Sequence, residues 1–396
     1  MQFARRLQSL SQNVFADMDR AKTKAKNLGR EIIDLSLGSS DLPVAETTIK
    51  TIEKALYDPS SHGYLLHGGT RDFRVAAANW YTERFNISVD PETEVLPLIG
   101  SQEGTAHLPL AILNPKDIAL LLDPGYPSHA GGVYLAGGEI YPMPLLAKHD
   151  FLPVLENVPV DILGRAKMMV LSYPHNPTSA IAPLAFFTKA VQFCRQHDLA
   201  LVHDFPYVDL VFEPGADLAP SILQADPHKE LSIEFFTLSK SYNMGGFRIG
   251  YAIGNQKLIA ALRQIKAVVD FNQYRGILDG AISALSGSQT SVAETVAIFK
   301  ERRDAFIKAL EDIGWQVPSP QATMYIWAKL PEPWQNNSID FCTELVAHTG
   351  VAASPGAGFG ESGEGYVRFA LVRDPKTLRQ AAAKIEGFIA RSRSLF

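Results

Sequence analysis

Residues 234–254 read EFFTLSKSYNMGGFRIGYAIG, in which two apolar runs flank a turn that contains two consecutive glycines. The first run ends at Lys240, and Arg248 stands where the second run begins. Short apolar runs bounded by glycine-rich turns are typical of strands that are buried on both faces of a sheet. A lysine at the end of such a strand can face a ligand site, although a lone lysine there is more often a solvated surface group.

Apolar runs of the same kind precede this stretch, and longer segments of helical period separate them. They are EVLPLIG (94–100), DIALLLD (117–123), AKMMVLSY (166–173) and LALVHDF (199–205). Buried strands that alternate with helices indicate an α/β fold with a mostly parallel sheet. Ligands of such sheets bind beyond the carboxyl ends of the strands, so we expect Asn176, Asp204 and Lys240 to lie close together.

The pattern of elements changes beyond about residue 290. A long helical stretch is followed by the strand-like segments TMYIWAKL (323–330) and YVRFALV (366–372), with helices between and after them. This order indicates a second, smaller α+β domain, which we expect the N-terminal segment to complete.

The predicted division of the chain follows from this change. We predict a large domain formed by residues 46–288 and a small domain formed by residues 1–45 together with residues 289–396. In the N-terminal segment, apolar residues recur at helical spacing and predict an amphipathic helix that lies on the protein. These residues are Phe3, Leu7, Leu10, Val14 and Met18.

The composition favours a cytoplasmic protein that binds a small molecule, without nucleic acid or membrane as a partner. Of the 396 residues 46% are hydrophobic and 20% charged, and the formal net charge of −5 is not typical of nucleic-acid binding. Apolar runs such as IALLL at 118–122 are far shorter than the roughly 20 residues that span a bilayer. With only Cys194 and Cys342 and no recognised histidine spacing, we expect neither disulfides nor a metal site.

Six short motifs follow one another along the chain. They are GSQEG (100–104), DPGYPSH (123–129), HNPTS (175–179), HDFPYVD (203–209), TLSKSYNMGGFRIGY (237–251) and GYVRFAL (365–371). In this order they resemble the phosphate loop, the ring-stacking segment, the asparagine, aspartate and lysine motifs and the carboxylate-binding segment of the class I and II aminotransferases. The resemblance implies an α/β fold of the PLP-dependent transferase fold type I, with a mostly parallel, seven-stranded sheet in the large domain. It also implies pyridoxal 5′-phosphate (PLP) as the cofactor.

The resemblance implies catalytic roles for Lys240, Asp204 and Tyr126. Lys240 would hold the cofactor as a Schiff base and, once released, act as a general base. A carboxylate at Asp204 would raise the pKa of the pyridine nitrogen of the cofactor and so keep it protonated. Tyr126 would stack on the pyridine ring. Taken alone, Asp204 would instead be interpreted as a helix N-cap and Tyr126 as a turn residue.

Further residues would bind the cofactor or the substrate. Free N–H groups at the start of a helix favour a phosphate, and hydroxyls and a bidentate guanidinium would complete its site. The implied phosphate ligands are Gly100, Ser101, Gln102, Thr237, Ser239 and Arg248, with Tyr64 reaching over from the neighbouring subunit of a homodimer. Asn176 and Tyr207 would bind the phenolic oxygen of the cofactor. Gly38, Asn176 and Arg368 would contact the substrate.

Two segments depart from the family pattern. Ser39-Ser40-Asp41 stands where the family often has Asn-Pro-Asp, and Ser179 stands where it often has glycine. The first departure leaves open which substrates this loop accepts. The second alters a turn in which glycine has more conformational freedom.

The implied function is that of an aminotransferase, which moves an amino group between an L-amino acid and a 2-oxo acid by a ping-pong mechanism. The chain resembles the branch that includes LL-diaminopimelate and N-succinyldiaminopimelate aminotransferases, with aspartate-type enzymes close by. The alternative is a PLP-dependent C–S or β-lyase, because one fold and one cofactor set serve several reactions. The substrate stays open, since Arg275 or Lys116 would suit a distal carboxylate but either is equally a surface charge.

Overall fold

The structure, a computed structural model, describes residues 1, 3–4, 6–10, 14–212 and 218–395. Its strands, in chain order, are β1 (Ile33–Asp34), β2 (Val95–Leu98), β3 (Ile118–Asp123), β4 (Glu139–Pro144), β5 (Ala166–Leu171), β6 (Ala200–Asp204), β7 (Ser232–Thr237), β8 (Gly250–Gly254), β9 (Tyr325–Lys329), β10 (Val351–Ala352), β11 (Ser354–Pro355) and β12 (Tyr366–Ala370). Its α-helices are α1 (Arg6–Ser9), α2 (Val14–Asn27), α3 (Glu46–Leu56), α4 (Arg71–Phe85), α5 (Ser101–Ile112), α6 (Pro127–Ala136), α7 (Val160–Leu163), α8 (Leu184–Gln196), α9 (Gln256–Val269), α10 (Arg275–Ser286), α11 (Thr290–Asp312), α12 (Ser338–Thr349) and α13 (Pro375–Leu395). Among these helices, none is both long and apolar enough to cross a membrane.

A seven-stranded sheet has the strand order β2-β8-β7-β6-β5-β3-β4. Neighbouring strands run parallel from β7 to β4, whereas β8 is antiparallel to both β2 and β7. All six residues of β3 are buried, as expected for a strand that helices cover on both faces. The predicted α/β fold with a mostly parallel sheet is confirmed.

One strand of this sheet, β4, is not among the predicted apolar runs. Its sequence, EIYPMP, includes Pro142 and Pro144, and most of its residues are exposed or half-buried. It lies at the edge of the sheet, where a residue without an N–H group can be tolerated. An edge strand of this kind lacks the continuous apolar run that marks the central strands.

Two smaller sheets involve the C-terminal part of the chain. Strands β11, β12 and β9 form an antiparallel sheet in that order, and β1 pairs with β10 in parallel. In the second of these sheets Ile33 lies opposite Val351. The N-terminal segment is therefore tied to the C-terminal part by main-chain hydrogen bonds.

The described residues form three hydrophobic cores, of which the smallest includes Leu121 of β3 and Phe235 of β7; the other two are larger. One includes Phe236 of β7 and residues of the neighbouring strands and helices. The other combines Met18 of α2 with Phe299 of α11 and residues of the small sheets, and it also includes Tyr207 and Leu210. The predicted division into residues 46–288 for the large domain and residues 1–45 with 289–396 for the small domain stays a prediction.

The predicted N-terminal amphipathic helix takes a different form. Helix α1 ends at Ser9 and α2 begins at Val14, and residues 11–13 lie outside the described residues. Met18 is buried, but Phe3 and Leu7 are exposed. Helical spacing alone therefore predicts more burial for Phe3 and Leu7 than the structure shows.

Helices α5 and α9 pack through a buried ion pair between Glu103 and Lys266. Lys266 Nζ lies 3.0 Å from both carboxylate oxygens of Glu103 and 3.3 Å from Asp270 Oδ1. Burial raises the pKa of Glu103 to about 6, although the nearby ammonium of Lys266 acts in the opposite direction. Glu103 also accepts a hydrogen bond from the N–H of Ile99. The ion pair thus fixes the turn between β2 and α5, which includes Gly100.

We expect Lys266→Met to lower the free energy of unfolding by about 3 to 5 kcal/mol, because it leaves the buried carboxylate of Glu103 without its cation. Urea-induced unfolding measures this loss. The matched control is Lys257→Met on the exposed side of α9, which should change stability by less than about 0.5 kcal/mol. The double variant Glu103→Gln/Lys266→Met removes both charges and should recover part of the loss. Equal stabilities of Lys266→Met and the control would contradict this account.

Candidate active site

A cavity of about 490 Å³ lies at the carboxyl ends of β6 and β7. The parallel order of β5, β6 and β7 brings the segments that follow them to one edge of the sheet. All predicted site residues except Gly100 and Tyr64 line the cavity, namely Gly38, Ser101, Gln102, Tyr126, Asn176, Asp204, Tyr207, Thr237, Ser239, Lys240, Arg248 and Arg368. Asn176, Asp204 and Lys240 are thus brought to one cavity, although they lie in three separate motifs.

The turn before α5 approaches the guanidinium of Arg248. Gly100 has a φ of +76°, and a Cβ atom at this position would lie 2.5 Å from Arg248 Nη2. Glycine therefore permits both the left-handed backbone and the close contact. Arg248 also adopts a left-handed conformation, with a φ of 53°. Although Gly100 does not line the cavity, its conformation lets the arginine lie beside the first turn of α5.

Hydroxyl groups at the end of β7 complete this corner of the cavity. Thr237 Oγ1 donates a hydrogen bond to Ser239 Oγ at 2.8 Å, and both residues line the cavity together with Ser101. Free N–H groups at the start of α5, three hydroxyls and the guanidinium of Arg248 form a set of donors that suits a phosphate.

The carboxylate of Asp204 is buried and only half satisfied. His129 Nε2, in the first turn of α6, donates a hydrogen bond to Asp204 Oδ2 at 3.0 Å. Asp204 Oδ1 is also buried and has no hydrogen-bond partner among the described residues. A buried carboxylate oxygen without a donor is costly, so this atom is suited to accept a hydrogen bond from a ligand. His129 is not among the predicted site residues, although the spacing of Tyr126 and His129 places both on one side of α6.

Lys240 contacts the loop of residues 36–43, which we call the N-terminal loop. Lys240 Nζ donates a hydrogen bond to the carbonyl of Gly38 at 2.8 Å. A Cβ atom on residue 38 would lie 1.8 Å from the hydroxyl oxygen of Tyr325, so only glycine allows the loop to come this close. Ser40 Oγ donates to Asn243 Oδ1, and Arg302 donates to both carboxylate oxygens of Asp41. The loop is therefore anchored on both sides.

Two buried tyrosines, Tyr207 and Tyr325, lie beside Lys240. The hydroxyl of Tyr207 donates to that of Tyr325, with 3.0 Å between the oxygens. Burial raises the pKa of Tyr207 well above its ordinary value. Burial also acts to raise the pKa of Tyr325, but the positive charges of Lys240 and Arg368 outweigh it, so that the pKa is lowered. Tyr325 is not predicted from the sequence, because nothing distinguishes it from an apolar residue of strand β9.

Arg368 is buried on β12, with 5% of its surface exposed. Its guanidinium donates to Asn176 Oδ1 at 2.8 Å, to the carbonyl of Ser36 at 2.6 Å and to Ser354 Oγ at 3.2 Å. It lies 4.3 Å from the ring centroid of Tyr325. A guanidinium fixed in this way at the wall of a cavity is suited to bind a carboxylate bidentately.

Besides Gly100, three predicted or considered residues do not line the cavity in this chain. Tyr64 is 95% exposed, and its ring lies against Phe271 with 6.4 Å between the centroids. Arg275 Nε lies 3.7 Å from Asp279 Oδ2, and Lys116 is exposed. Ser179, in contrast, takes up a φ of 62°, so it adopts the left-handed conformation for which glycine is often used.

The sequence model of the family described as aminotransferase class I and II matches residues 30–385. This chain belongs to that family. The LL-diaminopimelate aminotransferase of Dehalococcoides mccartyi is 42% identical to this aminotransferase over 388 residues, which cover 98% of this chain and 99% of the relative. Among solved structures, a probable N-succinyldiaminopimelate aminotransferase from Thermus thermophilus has a TM-score of 0.89 and 42% identity, and covers 94% of this chain and 99% of that chain. The substrate-bound BacF structure from Bacillus subtilis has a TM-score of 0.93 and 33% identity over 98% of both chains.

The cofactor of this aminotransferase family is PLP, and the residues of the cavity fit it. The free Oδ1 of Asp204 is the acceptor that a protonated pyridine nitrogen requires. Tyr126 lines the same cavity and can cover the ring, while the donors around Arg248 suit the phosphate. Lys240 Nζ, between these groups and Arg368, is the amine that can bind the cofactor covalently.

We expect Gly100→Ala in this aminotransferase to raise the Kd for PLP by about tenfold or more. The new Cβ atom displaces the Arg248 guanidinium, and a left-handed alanine is strained by about 1 kcal/mol. Titration of the apoenzyme with PLP, followed by absorbance, measures the Kd. Gly246→Ala is the matched control, because a Cβ atom there meets nothing within 4 Å. Identical Kd values for the two variants would contradict the role of the Gly100 turn.

Proposed function

We propose that this aminotransferase transfers an amino group between LL-diaminopimelate and a 2-oxo acid by a ping-pong mechanism. The observation that carries the proposal is the shared cavity, in which the buried guanidinium of Arg368, the amine of Lys240 and the half-satisfied carboxylate of Asp204 lie together. The name of the D. mccartyi relative, 42% identical over nearly the whole chain, supports the choice of LL-diaminopimelate. N-succinyldiaminopimelate, named for the T. thermophilus structure, is the second substrate to test.

When bound, PLP withdraws electrons from the Cα atom of the amino acid and carries the amino group between the two substrates. We assign to Asp204 the hydrogen bond that keeps the ring nitrogen protonated, with His129 holding the carboxylate in position. Tyr126 would orient the ring, and Arg248 with the N–H groups of Ser101 and Gln102 would hold the phosphate.

The α-carboxylate of the substrate would bind the guanidinium of Arg368, which Asn176 and Ser36 already hold in place. This contact fixes the Cα–H bond relative to Lys240, whose free amine would take the proton from Cα and deliver it to the C4′ atom of the cofactor. The Gly38 carbonyl, which accepts a hydrogen bond from Lys240, would orient that amine.

The active form would be a homodimer with shared active sites. Large apolar side chains are exposed beside Tyr64, namely Leu66, two residues further along the chain, and Phe271, whose ring contacts that of Tyr64. Exposed apolar patches of this kind often mark protein interfaces. A second subunit on this surface would bring Tyr64 to the phosphate of the neighbouring site, where this chain alone does not place it.

The enzyme would act in the cytoplasm. Cys194 and Cys342 are both buried as free thiols, and burial raises the pKa of the Cys342 thiol well above its ordinary value. Such thiols are inert and suit a reducing compartment.

Lys240→Ala should bind PLP noncovalently and lose nearly all turnover, because the other amine that lines the cavity, Lys22, is paired with Asp19 and Asp34 and does not replace the general base. The test is the visible absorption band of the bound cofactor while LL-diaminopimelate, N-succinyldiaminopimelate, glutamate and aspartate are added singly. With the wild type, the band should change with LL-diaminopimelate, and initial rates with a 2-oxo acid should give parallel lines. Release of ammonia without an acceptor would indicate the lyase instead, and wild-type rates in Lys240→Ala would overturn the assignment.

A mixture of two weakened variants should regain activity if each site combines Lys240 of one subunit with Tyr64 of the other. We expect Tyr64→Ala to be weakened at limiting PLP and Lys240→Ala to be inactive, whereas the mixed dimer contains one intact site. Activity after joint unfolding and refolding should therefore exceed the sum of the separate samples. Sedimentation should give twice the 43.4 kDa mass of the chain. A monomer, or no gain on mixing, would contradict the shared site.

A further inference from the structure

Helix α2 forms part of the cavity wall that none of the predicted site residues occupies. Met18, Asp19 and Lys22 of this helix line the cavity. Lys22 Nζ lies 2.7 Å from Asp19 Oδ1 and 2.9 Å from Asp34 Oδ2. We call Asp19, Lys22 and Asp34 the α2 cluster. With two carboxylates and one ammonium, the cluster carries a net negative charge.

The two carboxylates of the α2 cluster differ in their surroundings. Asp34 Oδ1 accepts hydrogen bonds from the N–H and the hydroxyl of Ser36, at 2.9 and 2.6 Å. Burial acts to raise the pKa of Asp34, but these hydrogen bonds and the pairing with Lys22 outweigh it and lower the pKa. The side chain of Asp19, in contrast, is 72% exposed. The carboxylate of Asp34 thus already binds Ser36 and Lys22, whereas the exposed carboxylate of Asp19 can also bind a ligand.

The α2 cluster lies within a limited distance of the guanidinium of Arg368, because Ser36 contacts both Arg368 and Lys22. The Ser36 carbonyl accepts from Arg368 at 2.6 Å, and the Ser36 hydroxyl lies 3.4 Å from Lys22 Nζ. The two cations are therefore at most about 10 Å apart, given standard bond lengths within the serine. In extended LL-diaminopimelate, the α-carboxylate and the nitrogen at the far end are separated by about 9 Å on the same basis.

We propose that Asp19 binds the ammonium group at the far end of the substrate while Arg368 holds its α-carboxylate, with Lys22 keeping Asp19 in position. This proposal rests on the proposed aminotransferase function and narrows the substrate to diamino acids with a free distal ammonium. The carboxylate at the same end of LL-diaminopimelate would face Lys22. The ammonium and the carboxylate of this end group would thus each lie beside a residue of opposite charge.

The charge of the α2 cluster predicts which substrates the enzyme prefers. A distal ammonium gains an attraction to Asp19, whereas a lone distal carboxylate meets a net negative cluster. In N-succinyldiaminopimelate the distal nitrogen is acylated and carries no charge, and the succinyl group adds a further carboxylate. The cluster therefore favours LL-diaminopimelate over the succinylated compound and over aspartate or glutamate.

The test compares LL-diaminopimelate with L-2-aminopimelate, which has the same length and lacks only the distal amino group. Steady-state rates of the holoenzyme at a saturating concentration of one 2-oxo acid give kcat and KM for each donor. We expect Asp19→Asn to lower the preference for LL-diaminopimelate by about tenfold, through KM rather than kcat, since the contact is made in both ground and transition states. Asp19→Lys should shift the preference further, toward L-2-aminopimelate.

The matched control is Asp17→Asn, which removes another exposed carboxylate of α2 that pairs with Arg20 and should leave the preference unchanged. If Asp19→Asn changes both donors equally, or if the wild type does not distinguish them, the assignment of Asp19 is wrong and the aminotransferase function stands. If the wild type reacts with other amino acids but not with LL-diaminopimelate, the proposed substrate fails and the Asp19 subsite fails with it.

Discussion

The guanidinium of Arg368 is buried, and its two terminal nitrogens, Nη1 and Nη2, donate to acceptors within the chain, whereas Nε has no partner among the described residues. Those acceptors come from three segments that lie far apart in the sequence, namely the side chain of Asn176, the carbonyl of Ser36 and the hydroxyl of Ser354. These partners cannot separate without leaving donors unpaired inside the protein, which costs free energy. The requirements of one buried cation therefore hold the N-terminal loop, the asparagine motif and the C-terminal sheet around a single cavity.

The same cavity contains polar groups that the chain itself satisfies only in part. One carboxylate oxygen of Asp204 accepts a hydrogen bond from His129, and the other has no hydrogen-bond partner among the described residues. Tyr325 accepts a hydrogen bond from Tyr207, while the charges of Lys240 and Arg368 lower its pKa. Groups fixed in this way need no reorganisation when a ligand arrives, and fixed dipoles in a partly dry site act more strongly than the same groups in water.

Most of the large sheet could be predicted from the sequence because its central strands are buried on both faces and therefore read as continuous apolar runs. Strand β4 could not, since an edge strand tolerates Pro142 and Pro144. Cavity residues at the carboxyl ends of strands, such as Asp204 at the end of β6, were predictable because the apolar runs mark where these strands end. Tyr325 and Asp19 were not, because a hydroxyl inside an apolar strand and an acid on a helix surface have no distinctive neighbours in the sequence.

The pairing of β1 with β10 has a consequence for how the protein is made. Ile33 lies opposite Val351, so the first strand to leave the ribosome must wait for a partner that emerges near the end of synthesis. At typical elongation rates this wait is on the order of tens of seconds. During it, α2 and β1 have apolar surface without a partner, and Arg368, which lies beyond β10, has not yet been synthesised. Nascent chains interrupted before β12 contain Lys240 and Arg248 but lack Arg368, and their uncovered apolar surface makes them prone to aggregation.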